Sequence, residues 1–313
     1  MSAAAAAAPQ RGALRWLSDL LYTRRGLLLL ALLAPPLLWF GVVYLGSLLA
    51  LLANAFFGLD DFTGQVLREF TLKNFIALAE PSNLDVLQRS VAMALAVTLA
   101  CIVLGFPLAF YMARHAHGTQ KAALYIAVML PLWSSYLVRL YAWKLLLAKE
   151  GAISWLAQHT ATVWLLDALL ALPAIGGPSL SFSAIGTFLV FVYMWLPFMV
   201  LPIVAAVERI PASCLEASAD LGAPPATTFW RVIAPLALPG VAAGSIFTFS
   251  LTLGDYIIPQ VIGDSSNYIG QVVYKQQGVA GNVPFAAAFS LVPIVVIGAW
   301  LWLARRLGAF DAH

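Results

Sequence analysis

Two groups of polar residues in an otherwise apolar chain have the types and spacing that binding or chemistry can use. The first is Glu216-Ala217-Ser218-Ala219-Asp220-Leu221-Gly222, followed by Val232-Ile233-Ala234-Pro235. On a helix, Glu216 and Asp220 stand one turn apart and offer a charged edge to a basic partner. The small residues between them let a backbone approach a partner's groove closely. Gly222 suits the end of such a helix, where a left-handed conformation comes easily only to glycine. Pro224-Pro225 then favours a new helix through Thr227 to Ile233. The start is set either by Pro211 at a first helical position or by a capping box over Ser213-Cys214-Leu215-Glu216. The product is a short helix with a sharp stop, shaped as a docking surface.

The second group is a pair of charges inside apolar stretches, Arg139 and Asp255. If both stretches are straight helices from the same membrane face, the two lie about 17 and about 14 residues in, at similar depth in the outer half. A charge there is costly and normally paired or turned to a cavity. Two readings follow: an Arg139–Asp255 ion pair, within one subunit or across a dimer, or contact between Asp255 and a cationic solute. Tyr256, with Trp133 or Trp195, supplies aromatic faces for cation–π attraction in the second case, and Tyr193 and Trp195, lying mid-span, either line a path or pack the bundle. Catalysis finds no support, because no nucleophile–base set appears. His115 and His117 lack acidic or cysteine companions and read as a solvated face, so no metal site is expected. Cys101 and Cys214 have no plausible shared disulfide geometry and say nothing about redox function. No Gly-x-x-x-x-Gly-Lys-Ser/Thr loop occurs, so this chain cannot hydrolyse ATP by that device, and no cofactor is expected in it.

The elements that must position these groups are membrane helices. Of 313 residues, 62% are hydrophobic and 10% charged, which is outside the usual range for soluble domains. A spanning helix needs about 20 largely apolar residues. Six stretches qualify: roughly Leu27–Leu52, Ser90–Met112, Ala122–Leu147, Ser183–Val207, Val241–Ile262 and Phe285–Leu303. Arg11, Arg15, Arg24 and Arg25, then Arg114 and Lys121, Arg209 and Arg231, and Arg305 and Arg306 all fall on one side of that arrangement. That side is therefore predicted to be cytoplasmic, with both termini on it. The other side carries Asp60, Asp61, Glu69, Glu80, Asp85, Glu150, Asp167 and Asp264. Its acidity matches the depletion of bases expected outside, and also raises the local concentration of a cation.

The predicted organisation is a cytoplasmic lead-in over 1–26, a six-span domain over 27–307 with a docking loop at 208–239, and a tail over 308–313. Met1 to Pro9 is read as disordered. The run Leu27–Leu52 is too long for a signal-peptide core and is taken as an uncleaved anchor, despite Ala53-Asn54-Ala55 after it. Within Trp155–Ser181 the apolar run Trp164–Leu172 carries Asp167 and is too short to span, so the segment predicts an outer-face interfacial helix or cap. Asp60–Arg89 predicts a small helix-and-loop cap on the same face. Pro35-Pro36, Gly105 with Pro107, Pro131, Pro197 with Pro202, Pro259 and Pro293 lie inside the spans; in a bundle they mark either ordinary kinks or broken helices along a solute path.

With these residues in view, the chain resembles a known family. The spacing in Glu216–Gly222 and Val232–Pro235 is that of the loop by which permeases of ABC importers engage their ATPase. Ala217-Ser218 stands for an Ala-Ala pair and Val232-Ile233-Ala234-Pro235 for an Ile-x-Leu-Pro. The run from Pro131 to Lys144, together with Leu196–Pro202 and Leu253–Pro259, resembles spermidine/putrescine permeases, and the likeness covers most of the chain from about Leu72 onward. It implies an all-α membrane protein of six transmembrane helices with the type I ABC importer permease fold, in the bacterial inner membrane. It also implies a transport subunit rather than an enzyme. The partners would be an ATP-binding cassette ATPase dimer that binds ATP and Mg, a second homologous permease, a periplasmic solute-binding protein and membrane lipid, with no nucleic acid. Glu216, Ala217, Ser218, Ala219, Asp220, Leu221 and Gly222 would couple to the ATPase; Trp133, Tyr136, Arg139, Tyr193, Trp195, Asp255 and Tyr256 would line the path of a polyamine. An opine or other small solute is the alternative cargo. Rivals of another class are a secondary transporter or channel, whose inverted repeats are not evident, and a membrane enzyme.

Overall fold

The computed structural model describes residues 25–306 apart from 61, 161, 174 and 265. The lead-in up to residue 24, with Arg11, Arg15 and Arg24, lies outside the described residues, as do Asp61 and the tail over 308–313.

The first unit is a helical span, α1 (Leu28–Asn54), within which Trp39–Leu45 forms a wider, π-type turn. Helix begins already at Arg25, inside the stretch read as lead-in.

The second unit runs from residue 55. It opens with an antiparallel hairpin, β1 (Phe57–Leu59) and β2 (Val66–Phe70), and a short helix, α2 (Lys73–Leu78). The expected helix-and-loop cap is thus a hairpin plus helix. At the hairpin's tip the Asp60 carboxylate accepts from Phe62 N–H at 2.9 Å and Thr63 N–H at 3.3 Å. These backbone donors favour the charged form and hold its pKa below the ordinary value.

The spans that follow are α3 (Pro81–Arg114), α8 (Ala184–Glu208), α10 (Pro225–Gly254) and α13 (Val283–Arg306). The third predicted span is different. It forms α4 (Gly118–Trp133) and α5 (Tyr136–Leu146), which meet at 97°. Ser134 and Ser135 have extended backbone, and Ser134 Oγ donates to Pro131 O at 3.0 Å, a local bond that competes with the helical ladder. Two short helices, α6 (Ala152–His159) and α7 (Val163–Leu170), occupy the segment expected to form an interfacial helix or cap.

The fifth predicted span also changes. It begins earlier, at Pro225, so the expected separate helix to Ile233 is continuous with it, and the loop read as 208–239 is shorter than that. The turn Phe229–Ile233 is wide because Pro235 lacks an N–H and crowds the carbonyl four residues back. The span ends at Gly254 rather than Ile262, and a short helix, α11 (Ile257–Val261), follows Asp255 and Tyr256. Pro259 has the same effect here: in an unbroken helix its ring would crowd the Asp255 carbonyl. A polar helix, α12 (Ile269–Gly278), leads into α13.

The core sits where α8 lies between α3 and α10, with Val97, Cys101 and Met112 of α3 buried against Met194, Met199 and Ile203 of α8. Lipid tails are as apolar as these side chains, so close fit rather than escape from water must hold the helices together. The fit is visible at Gly240 and Gly244 of α10. A Cβ at Gly240 would stand 2.5 Å from Ala206 Cβ, and one at Gly244 would stand 2.7 Å from Met199 Sδ.

Candidate functional sites: a docking helix and a broken-helix cavity

Helix α9 (Ala212–Asp220) carries the first group of polar residues. Pro211 occupies the capping position in extended conformation, no side chain caps the helix, and the Ser213–Glu216 box does not form. The other end closes as expected. Gly222 N–H donates to Ala219 O at 2.8 Å and Ala223 N–H to Ser218 O at 3.1 Å, the two bonds of a Schellman stop, with Gly222 at φ 71°.

Glu216, Ala217, Ala219 and Asp220 are exposed, and Leu221 is 86% exposed. Ser218 differs from its neighbours: it is buried, and its Oγ shares a hydrogen bond with Thr228 Oγ1 at 2.8 Å. The small residue expected on the docking side therefore ties α9 to the start of α10. Trp230, 71% exposed, is a large apolar side chain on that same stretch of α10, and sequence reasoning missed it.

The base of α9 is fixed as well. Arg114 Nη2 donates to Val207 O at 2.9 Å and Ile210 O at 2.7 Å, capping the end of α8 from the end of α3. Lys121 Nζ meets Glu208 Oε1 at 2.7 Å, and Tyr125 donates to the same oxygen at 3.1 Å. These contacts, with the Ser218–Thr228 bond, tie α9 and its base to α3, α4, α8 and α10.

The second group gathers only in part, at the break between α10 and α11. The Asp255 Oδ1 atom accepts from Ile257 N–H at 2.8 Å and Ile258 N–H at 3.1 Å, while Oδ2 accepts from the Tyr136 hydroxyl. Tyr136, at the start of α5, stacks on Trp195 of α8 with centroids 6.4 Å apart. Tyr256 stacks on Tyr274 of α12 at 4.7 Å. Backbones meet closely there, since a Cβ at Gly270 would stand 2.8 Å from Asp255 O. A cavity of about 310 Å³ is lined by Tyr136, Gly254, Asp255, Tyr256 and Ile257, and a second of about 300 Å³ shares Gly254 and Tyr256 and adds Tyr274 and Gln277.

The remaining sequence candidates stand elsewhere. Trp133 is 73% exposed at the end of α4 and lines neither cavity. Tyr193 packs on Trp143 at 5.1 Å. Arg139 does not pair with Asp255: among the described residues the ion pairs are Arg89–Asp85 and Lys121–Glu208, and Arg139 Nε is buried without a partner. The depth argument assumed a straight third span, and the 97° turn removes that assumption. Tyr274 and Gln277 were not foreseen; the signal was a polar, tyrosine-bearing segment between two apolar ones.

The end of α10 and the Asp255 carboxylate give this cavity its electrostatic character. The last carbonyls of a long helix carry partial negative charge and lack helical partners. With a carboxylate and two phenol faces beside them, they favour a cation.

Comparison with known proteins places the chain in a family. Residues 4–307 match the binding-protein-dependent transport system inner membrane component family. The inner membrane ABC transporter permease protein YdcU of Escherichia coli (strain K12) is 56% identical over 304 residues, covering 97% of each chain. The spermidine/putrescine transport system permease protein PotB of the same strain is 34% identical over 270 residues, covering 85% of this chain and 93% of its own. The fold is shared with a bacterial ABC transporter involved in the import of the acidic polysaccharide alginate, at TM-score 0.64 and 16% identity, covering 93% of this chain and 98% of the other. Inward-facing MetNI, a methionine ABC transporter, aligns at TM-score 0.51 and 17% identity over 74% of this chain and 96% of its own. The chain belongs to the binding-protein-dependent inner membrane components, and it is a multi-pass permease subunit of an ABC importer with the type I fold.

Proposed function

We propose that this permease admits a small organic cation of the polyamine class, such as spermidine or putrescine, past Asp255. The observation that carries the reading is the cavity at the break between α10 and α11, where a carboxylate, the carbonyl end of a long helix and the Tyr136 and Tyr256 rings converge. An ammonium group there replaces its water with charge, carbonyl and π contacts. Likeness to PotB supports the same cargo class. A periplasmic binding protein delivers the solute, and a second homologous permease completes the path. An ATPase dimer, holding ATP and Mg, docks on Glu216–Gly222 of each permease. Its closure pulls α9 and rocks α3, α8 and α10, opening the path inward. The distribution of Lys and Arg supports cytoplasmic termini, with α9 on that side.

One observation favours a second cargo. Arg139, one turn from Tyr136 on α5, leaves its Nε without a partner among the described residues. An amphoteric solute such as an opine offers a carboxylate to Arg139 and an amine to Asp255.

Uptake of labelled spermidine, putrescine and an opine by the assembled transporter in proteoliposomes separates these. Asp255→Asn is expected to slow polyamine entry roughly tenfold, the scale of one lost charge-assisted contact, and Arg139→Ala to leave it unchanged. Normal polyamine uptake by Asp255→Asn contradicts the proposal, and uptake of the opine alone, abolished by Arg139→Ala, selects the second reading.

A further inference from the structure

A third cavity, of about 450 Å³, lies away from both sites, between α3, α7 and α8 and the approach to α12. Its walls are apolar, with Met93 and Ala96 from α3 and Ile185 and Phe188 from α8 among them. Its polar groups are Arg89 and Tyr268, apart from one serine, Ser266. Tyr268 is 4% exposed, yet its hydroxyl has no hydrogen-bond partner among the described residues. A buried hydroxyl left unpaired costs about 1–3 kcal/mol, so a ligand that accepts from it is favoured. Arg89 is held in place by Asp85 at 2.5 Å, but its side chain remains 34% exposed and keeps donors free.

The depth of this cavity identifies the kind of ligand. Helix α3 has 34 residues, about 51 Å at 1.5 Å per residue, longer than the ~30 Å hydrocarbon layer. Arg89 and Arg114 bracket its apolar stretch, and Arg114 belongs to the α9 end. Arg89 therefore stands at the opposite membrane interface, and the walls below it, down to Ala96 and Phe188, enter the hydrocarbon of that leaflet. Leu169 and Ile175, which also line the cavity, are 36% and 43% exposed, so its rim is open to apolar surroundings. Arg89 has donors beyond the one that Asp85 takes. With the unpaired Tyr268 hydroxyl, and against the Asp264 carboxylate at Ser266, it offers hydrogen bonds at the interface above an apolar hollow, which match an acyl chain joined to a phosphate headgroup.

We propose that this cavity binds one phospholipid of the leaflet opposite the docking helix, its phosphate accepting from Arg89 and the Tyr268 hydroxyl and an acyl chain lying along Met93, Ala96, Ile185 and Phe188. The lipid wedges α3 against α8 at the end where the broken helices gather, and so stabilises the helix pair that the docking helix moves. The site is independent of which solute is carried.

Native mass spectrometry of the assembled transporter, delipidated and then titrated with phosphatidylglycerol, tests this. The expected result is one retained phospholipid whose binding weakens roughly tenfold in Arg89→Gln, the scale of a lost hydrogen bond to a charged group. Tyr268→Phe weakens it less. Ala96→Phe fills the hollow at an exposed position of α3 and is expected to expel the chain with Arg89 intact. Diacylglycerol, which lacks the phosphate, should not bind, and inorganic phosphate should not compete. Wild-type retention in both Arg89→Gln and Ala96→Phe overturns the proposal. So does equal binding of diacylglycerol, displacement by inorganic phosphate alone, or absence of bound lipid because the second permease covers the cavity.

Discussion

The docking helix and the broken-helix cavity are built by opposite means. The first is assembled from neighbours in sequence: Pro211 starts α9, Gly222 stops it, and Ser218 reaches only ten residues onward to Thr228. The second is assembled from segments far apart, with Tyr136 on α5, Asp255 after α10 and Tyr274 on α12. Under the proposed function this contrast has a reason: a surface recognised by a separate subunit needs a fixed local shape, and a path that opens and closes is better made from helix ends that can part.

The largest effect distinguishing the two regions is expected at Gly222. Its φ of 71° is left-handed, but a Cβ there would meet nothing within 4 Å. Gly222→Asp therefore costs only about 1 kcal/mol in backbone strain while placing a charge on the docking edge. Uptake should fall to the level of empty vesicles with membrane insertion unchanged; normal uptake in the variant would show that this edge does not couple.

At the cavity, the pair Arg139 and Asp255 sharpens the contrast. Because they form no ion pair, Arg139→Ala should leave polyamine uptake as unchanged in the Asp255→Ala background as it does alone, the two effects adding within about 0.5 kcal/mol in a double-mutant cycle. Restoration of uptake in the double variant would mean that they pair in a state other than this one.

Smaller effects belong to the joints. Ser218→Ala removes a hydrogen bond worth about 1 kcal/mol. It should loosen α9 from α10, lowering transport per ATP hydrolysed more than thermal stability, as a paired flux and hydrolysis assay would read. The smallest belongs to the hairpin tip. The Asp60 pKa is lowered in the folded chain, so its contribution is complete above the ordinary aspartate value and is lost as pH falls through the lowered one. Amide shifts of Phe62 and Thr63 should follow that single titration, with only a slight fall in global stability.

The same difference explains what could be read before any coordinates. The end of α9 was legible because a left-handed stop is a property of a few consecutive residues, and Gly222 adopts it. The starting box over Ser213–Glu216 was not, because Pro211 already supplies an extended capping residue. Helix identity in α3, α8 and α13 followed from apolar length alone. The breaks did not: Pro131 lies inside α4 without ending it, whereas Pro259 disrupts the helix at Asp255, and only packing against Gly270 and Tyr136 decides which proline does so. The aromatic residues sorted by the same logic, Tyr136 and Tyr256 reaching the cavity while Trp133 does not. The close contact of α10 with α8 had a signal in Gly240 and Gly244, spaced one turn apart, that apolar periodicity does not weigh.

The central claim is that a solute met at the cavity is linked, through the docking helix, to ATP hydrolysis in a partner subunit. The most direct test is ATPase activity of the transporter assembled in lipid with its binding protein, with and without spermidine, putrescine and an opine. The account predicts stimulation by a polyamine that disappears in Gly222→Asp. Failure of any ATPase to assemble with this chain, with solute transport persisting in ATP-free vesicles, would contradict it.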